Sequence, residues 1–131
     1  MKKANILGTE YAIEIRKISE DEIMRKHNFD AYCLYDEKLI VLSDTSDKEY
    51  FSFTNKEAEQ SYNNTNLRHE LIHAFLYESG LSSCCEWASE EMVDWLAIQF
   101  PKLYKVFEKL DCEWTVENNK NKSLFKTKST F

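Results

Sequence analysis

Leu67-Arg68-His69-Glu70-Leu71-Ile72-His73-Ala74-Phe75-Leu76 is the stretch that decides how the rest of the chain reads. On a helix, residues four apart stand one above another on the same face. His69 and His73 therefore aim two imidazoles at a common point. Glu70 follows about 100° round from His69, close enough to reach a metal-bound water without binding the metal itself. Zinc takes such nitrogen ligands and lowers the pKa of its bound water, and the glutamate accepts the proton as water attacks. A surface helix laced with ion pairs can carry the same residues. Against that, Leu67, Leu71, Ile72, Ala74, Phe75 and Leu76 make this helix apolar and buried. Two histidines and a glutamate in such a setting need partners, and a metal supplies them.

A catalytic zinc site takes a third protein ligand and leaves one position for water. The third histidine, His27, lies far upstream in a polar segment. Stronger candidates stand between Trp87 and Ile98, a predicted helix that is apolar nearly all round except where Glu90, Glu91 and Asp94 share one arc. Glu90 and Asp94, at i and i+4, allow one carboxylate to bind the metal and the other to accept the outer N–H of a ligand histidine, which sets its tautomer. Glu91 with Asp94, at i and i+3, is the alternative ligand assignment. An ordinary solvated stripe is the reading that needs no metal. The facing histidine helix favours a ligand, with Glu90 ahead of Glu91.

Length and composition set the frame. The chain has 131 residues, 43% hydrophobic and 14% aromatic, which suits one globular domain. A net charge of −6 argues against nucleic acid as a partner. The apolar run near Met1 is too short for a signal-peptide core, and no stretch approaches the ~18 apolar residues of a membrane span. A cytoplasmic protein is expected, with Cys33, Cys84, Cys85 and Cys112 as free thiols. Residues 1–116 are expected to form the domain. Residues 117–131, with Lys120, Lys122, Lys126 and Lys128, read as a flexible polar and basic tail.

Along the chain, Asn5–Leu7 and Glu10–Arg16 read as a hairpin turning at Gly8-Thr9, with Tyr11, Ile13 and Ile15 facing inward. Ser19 with Glu22 predicts a cap and a short helix over 20–27. Tyr32–Tyr35 and Leu39–Leu42 are two strands joined tightly at Asp36–Lys38. Thr54 with Glu57 is a second capping pattern, opening a long helix near Asn55 whose polar first half is open to fraying. That helix ends at Ser79-Gly80. The helix from about Trp87 to Phe100 stops at Pro101, and Lys102–Leu110 forms a further short one. The fold class expected is α+β: a small domain with a short antiparallel sheet packed on the histidine helix and on a second, glutamate-bearing helix.

This pattern resembles the gluzincin metallopeptidases, in which a two-histidine helix precedes a glutamate helix with an aspartate four residues on. It falls here on His69, Glu70, His73, Glu90 and Asp94. Leu67 to Leu81, with Glu90-Glu91-Met92-Val93-Asp94-Trp95 and Gln99-Phe100-Pro101-Lys102, is similar to small prophage-encoded proteins related to the ImmA/IrrE-type metallopeptidases. Those relatives usually carry Ala-Asn after the ligand glutamate, where Val93-Asp94 stands here; Asp94 agrees with the wider gluzincin pattern. The resemblance implies a zinc metallopeptidase of phage or mobile-element origin acting on a protein or peptide, with Zn2+ on His69, His73 and Glu90, Glu70 as general base and Asp94 behind a histidine. Leu39 to Ser43 is the candidate strand for holding an extended peptide. Tyr77 and His27 are candidate helpers for the oxyanion. The alternative is a zinc-containing phage protein that binds a host or regulatory protein without cleaving it.

Overall fold

Alternating burial along two short strands shapes the sheet. In the segment Leu39–Ser43 (β4), Ile40 faces one way and Leu39 and Val41 the other, and all three are buried. A strand covered on both faces belongs in the middle of a sheet. The computed structural model, which describes residues 1–114, places it there. Lys2–Ile6 (β1), Thr9–Arg16 (β2), β4 and Ala31–Leu34 (β3) form a sheet in the order β1-β2-β4-β3. The outer pairs, β1 with β2 and β3 with β4, are antiparallel hairpins, whereas β2 and β4 run parallel, Ile13 opposite Ile40. The sheet is therefore mixed, not antiparallel as expected. Each hairpin is a local product of its turn. The parallel junction arises because Glu22–His27 (α1) links β2 to β3 at one end of the sheet, and β3 returns the chain so that β4 enters beside β2 in its direction.

Two helical layers cover the sheet. On one face Ile6, Tyr11, Ile13 and Ile40 pack with Ala74 of Lys56–Glu78 (α2), flanked by Leu67 and Leu71. On the other, Met24 of α1 packs with Ile18, Tyr32, Leu39 and Val41. Since β4 has neighbours on both sides, Leu39 to Ser43 has no free edge for a peptide. β1 and β3 are the outer strands among the described residues, and β3 is the one beside β4.

Several local expectations shift for identifiable reasons. The first hairpin turns at Leu7-Gly8, both with positive φ (51° and 95°), the backbone that a two-residue hairpin turn requires. Ile15 is 69% exposed although Tyr11 and Ile13 are buried, because β1 ends opposite Ile13. Asp21, not Ser19, caps α1 by accepting the Met24 N–H at 2.9 Å, and residues 18–20 form a single 3-10 turn. Asn55, not Thr54, caps α2 by accepting the Ala58 N–H at 2.8 Å. The polar first half of α2 stays helical because its side chains have tertiary partners. Glu59 and Asn63 both bond Thr45 Oγ1 (2.8 and 2.9 Å), and Tyr62 donates to Asp30 beside Phe51 and Phe53. Ser79 and Gly80 (φ 82°) end the helix as read from sequence.

Glu90–Lys109 (α3) is one helix containing Pro101, not two helices broken there, and it starts three residues later than expected because Ser89 Oγ accepts the Met92 N–H at 3.3 Å. It buries only Val93 and Ala97; Trp95, Ile98 and Phe100 are exposed, so it is not apolar and covered nearly all round. The chain divides into two compact units, Met1–Ala97 and Ile98–Phe131. In the second, the end of α3 carries a tilted Phe100–Tyr104 ring pair at 6.0 Å and closes on Asp111 at φ 57°. The tail expected over 117–131 lies outside the described residues. No helix among those described is long and apolar enough to cross a membrane.

Asp21 is the most connected polar group of the α1 face: besides its cap, it accepts from the Tyr32 hydroxyl at 2.7 Å and from Arg16 at 3.3 Å. Burial works against its charge, but the bonds from Met24, Tyr32 and Arg16 outweigh it and hold the carboxyl below its ordinary value. Its contribution to stability is therefore complete above the unfolded value of 3.8 and drains away as pH falls through the lower folded value. Asp21→Ala is expected to cost about 2 kcal/mol at pH 7 by urea unfolding. The gap from the parent should narrow below pH 4; a gap constant down to pH 2 would contradict this assignment.

Candidate metal centre

Each side chain reaches this site for a reason set by its helix. Ala74 packs flat on the sheet, and Glu70, one turn earlier on the same face, is carried under the sheet with it, to 6% exposure. His69 and His73 stand about 100° round from that face and are half-buried at its rim. There they meet the first turn of α3. Val93 and Ala97 bury one stripe of α3, and Glu90 and Asp94, each three residues earlier, border it on the side of the histidines. A carboxylate in a helix's first turn also gains from the helix dipole.

The donor atoms converge. His69 Nε2 and His73 Nε2 are 3.1 Å apart, with rings tilted edge to face. Glu90 spans them, Oε2 lying 3.4 Å from His69 Nε2 and Oε1 lying 2.5 Å from His73 Nε2. His69, His73 and Glu90 each place a ligand atom within 4.8 Å of the others; Glu91 contributes none. Asp94 Oδ1 lies 2.8 Å from His69 Nδ1. That carboxylate can only accept, so Nδ1 carries the proton, and the Nε2 of a neutral His69 offers a lone pair to the shared point.

The set suits a divalent cation on chemical grounds. Ligand atoms about 2.0–2.2 Å from a tetrahedral zinc stand roughly 3.2–3.5 Å apart, and two of the three separations here, 3.1 and 3.4 Å, lie at or near that range. The third is as short as a strong hydrogen bond. An imidazole lone pair facing a second imidazole and a carboxylate needs a proton or a cation between them. No lysine or arginine among the described residues pairs with Glu90 or Asp94. Burial keeps His73 below the usual imidazole value although Glu90 pulls it upward, so the ring is neutral and able to ligate at pH 7.

Glu70 stands apart from the triad. Its carboxylate takes no hydrogen bond among the described residues, and burial, followed by the charge of Glu90, pushes it up to about 7. A group so poised gains and loses a proton near neutrality. Of the expected helpers, Tyr77 lies one turn beyond His73 on the same face of α2, stacked on Tyr35 with centroids 4.4 Å apart. His27 stacks on Phe29 at the end of α1, the helix that covers the opposite face of the sheet, and takes no part in the site.

Two contributors escaped the sequence reading. Arg68 Nε donates to the Ala97 carbonyl at 2.7 Å and so ties the histidine helix to the glutamate helix. Pro101, four residues after Ala97, has no N–H to offer that carbonyl, and a proline at this spacing was the available clue. Tyr35 was passed over as the end of a strand. The cysteines Cys33, Cys84, Cys85 and Cys112 are all free, and none belongs to the cluster.

No family model, curated protein or solved structure matches this chain. Equilibrium dialysis of the purified chain against limiting zinc should separate the carboxylates. Glu90→Ala is expected to lose the ion, Glu91→Ala to retain it, and Asp94→Ala to weaken binding by roughly 10–100-fold. Retention by Glu90→Ala with loss by Glu91→Ala would reverse the assignment.

Proposed function

We propose that this chain is a zinc-dependent metallopeptidase of the gluzincin type, zincin-like in fold and of phage or mobile-element origin, in which His69, His73 and Glu90 hold the ion. The observation that carries this reading is Glu70, a residue only 6% exposed and without a hydrogen bond among the described residues, next to a converged triad of two nitrogens and an oxygen. A structural zinc site would fill its fourth position with another side chain, and among the described residues the cluster holds three. When bound, zinc supplies a Lewis acid that acidifies water and polarises the carbonyl under attack.

The chain's own groups account for the remaining work. Glu70 takes the proton of the attacking water and returns it to the leaving amine, a role suited to a carboxyl held near neutrality. Asp94, through Nδ1, keeps His69 in the tautomer that presents Nε2. The outer edge of β3 has no strand paired to it among the described residues. An extended peptide can lie along that edge by backbone pairing, which transfers to β3 the role first given to Leu39–Ser43. The partner is then a protein or peptide substrate.

The test separates metal from catalysis. Glu70→Gln is expected to keep its zinc while hydrolysis of casein falls by about 100-fold or more; equal rates would overturn the peptidase reading. A zinc-loaded parent that cleaves nothing would favour the non-catalytic binding protein instead.

Chelation offers an independent check, because the ligands lie on two helices and the ion binds only the folded chain. At a hundredfold excess over Kd a bound ion contributes about 2.7 kcal/mol. Removing it is expected to lower the melting temperature by roughly 5–10 °C. An unchanged melt after verified removal would count against the triad as a metal site.

A further inference from the structure

Beside the triad, where β3 leaves the sheet, a pocket of about 310 Å3 is lined by Cys33, Leu34, Tyr35, Asp36, Glu37 and Tyr77. We infer that this pocket is a specificity site that receives a lysine or arginine side chain of the bound peptide. This rests on the peptidase reading and names the class of substrate for it.

Three features carry the inference. The first is position. Tyr77 is one turn along α2 from His73, and Tyr35 lies near enough to Glu70 and Glu90 to feel both charges. The pocket also sits at the end of the free strand edge, so a peptide paired with β3 drops alternate side chains beside Cys33 and Tyr35. The second feature is shape and polarity. Leu34, Cys33 and the stacked tyrosines, 2° from parallel, make an apolar wall, and Asp36 and Glu37 stand exposed at the turn. An apolar stem ending in a cation fits a wall of this kind with acid at its rim.

The third is charge. The nearest cation, Lys38, is already committed: its Nζ lies 2.8 Å from Glu78 Oε2 and 5.0 Å from the Tyr77 ring centroid. Asp36 and Glu37 make no side-chain hydrogen bond or ion pair among the described residues, although Asp36 lies within the field of Lys38. Two carboxylates thus remain to meet an incoming cation, and the Tyr35 ring that lines the pocket can meet the guanidinium plane of an arginine.

The experiment uses the full-length, zinc-loaded Glu70→Gln protein, which holds peptide without cleaving it. Acetyl-Ala-Ala-Arg-Ala-amide is titrated against the same peptide with citrulline, which keeps the shape of arginine and removes its charge. Binding is followed by NMR of the tyrosine rings. The arginine peptide is expected to bind about tenfold tighter, as one charge-assisted contact implies, and to shift Tyr35 and Tyr77. In Asp36→Asn/Glu37→Gln, two surface changes that keep side-chain size, the preference is expected to shrink to within about twofold, the level of a contact without charge assistance. Equal affinities, a preference that survives the double substitution, unmoved tyrosines or no binding would each overturn the inference. The active parent is then given a peptide library. Cleavage without a basic preference overturns the pocket and leaves the peptidase reading. Arginine-selective binding with no cleavage supports the pocket and overturns the peptidase reading.

Discussion

The rotation of α2 about its own axis is the constraint on which the site depends. Leu67, Leu71 and Ala74 must face Ile6, Tyr11, Ile13 and Ile40 for the sheet to be covered, and that choice leaves no freedom for the residues between them. Glu70 shares the face of Ala74 and goes under the sheet. His69 and His73 fall at the edge of the contact, half-buried, pointing where a second helix can meet them. A turn of α2 by one residue would bring the histidines under the sheet and put Glu70 at the rim. The apolar stripe thus does more than stabilise: it assigns one polar group to burial and two to the boundary.

The electrostatic arrangement follows from that geometry and works against the fold. Glu70 and His73 stand where burial penalises charge, while the mostly exposed Glu90 and Asp94 meet the two imidazoles with no lysine or arginine paired to them among the described residues. Part of the offset is local, from the α3 dipole at Glu90 and the bond between Asp94 and His69. Another part is the tie from Arg68 to the Ala97 carbonyl, which holds the start of α3 against α2. The dication proposed for His69, His73 and Glu90 would offset this like-charge grouping.

Access to the site comes from the topology of the sheet. Two hairpins joined by a parallel pairing leave β4 inside and β3 outside, so β3 has an edge with no strand paired to it among the described residues. The turn after β3 brings Tyr35, Asp36 and Glu37 to the same side. Lys38, from the same turn, reaches back to Glu78 at the end of α2, with its ammonium held over the Tyr77 ring. Strand edge, tyrosine pair and triad are therefore arranged along one helix within the first compact unit.

What the sequence by itself determined is local in origin. His69, Glu70 and His73 share a short stretch of one helix, Gly80 ends that helix, and Glu90 stands one turn from Asp94; each is a matter of helical spacing or of a single residue's φ. The alternation in Tyr32–Tyr35 and Leu39–Leu42 marked two strands, but alternation says nothing about which neighbour a strand acquires. Only tertiary structure decided that β2 runs parallel to β4, that β3 holds the free edge, and that Ile15 protrudes while Ile13 is covered. The same holds for α3, which reads as a helix buried nearly all round but keeps only Val93 and Ala97 inside. Pro101 does not break it, and the carbonyl that would otherwise be stranded finds Arg68 twenty-nine positions away. Spacing along a helix repeats every few residues and can be read from the chain, whereas pairing between strands and partners for freed carbonyls depend on contacts between distant positions.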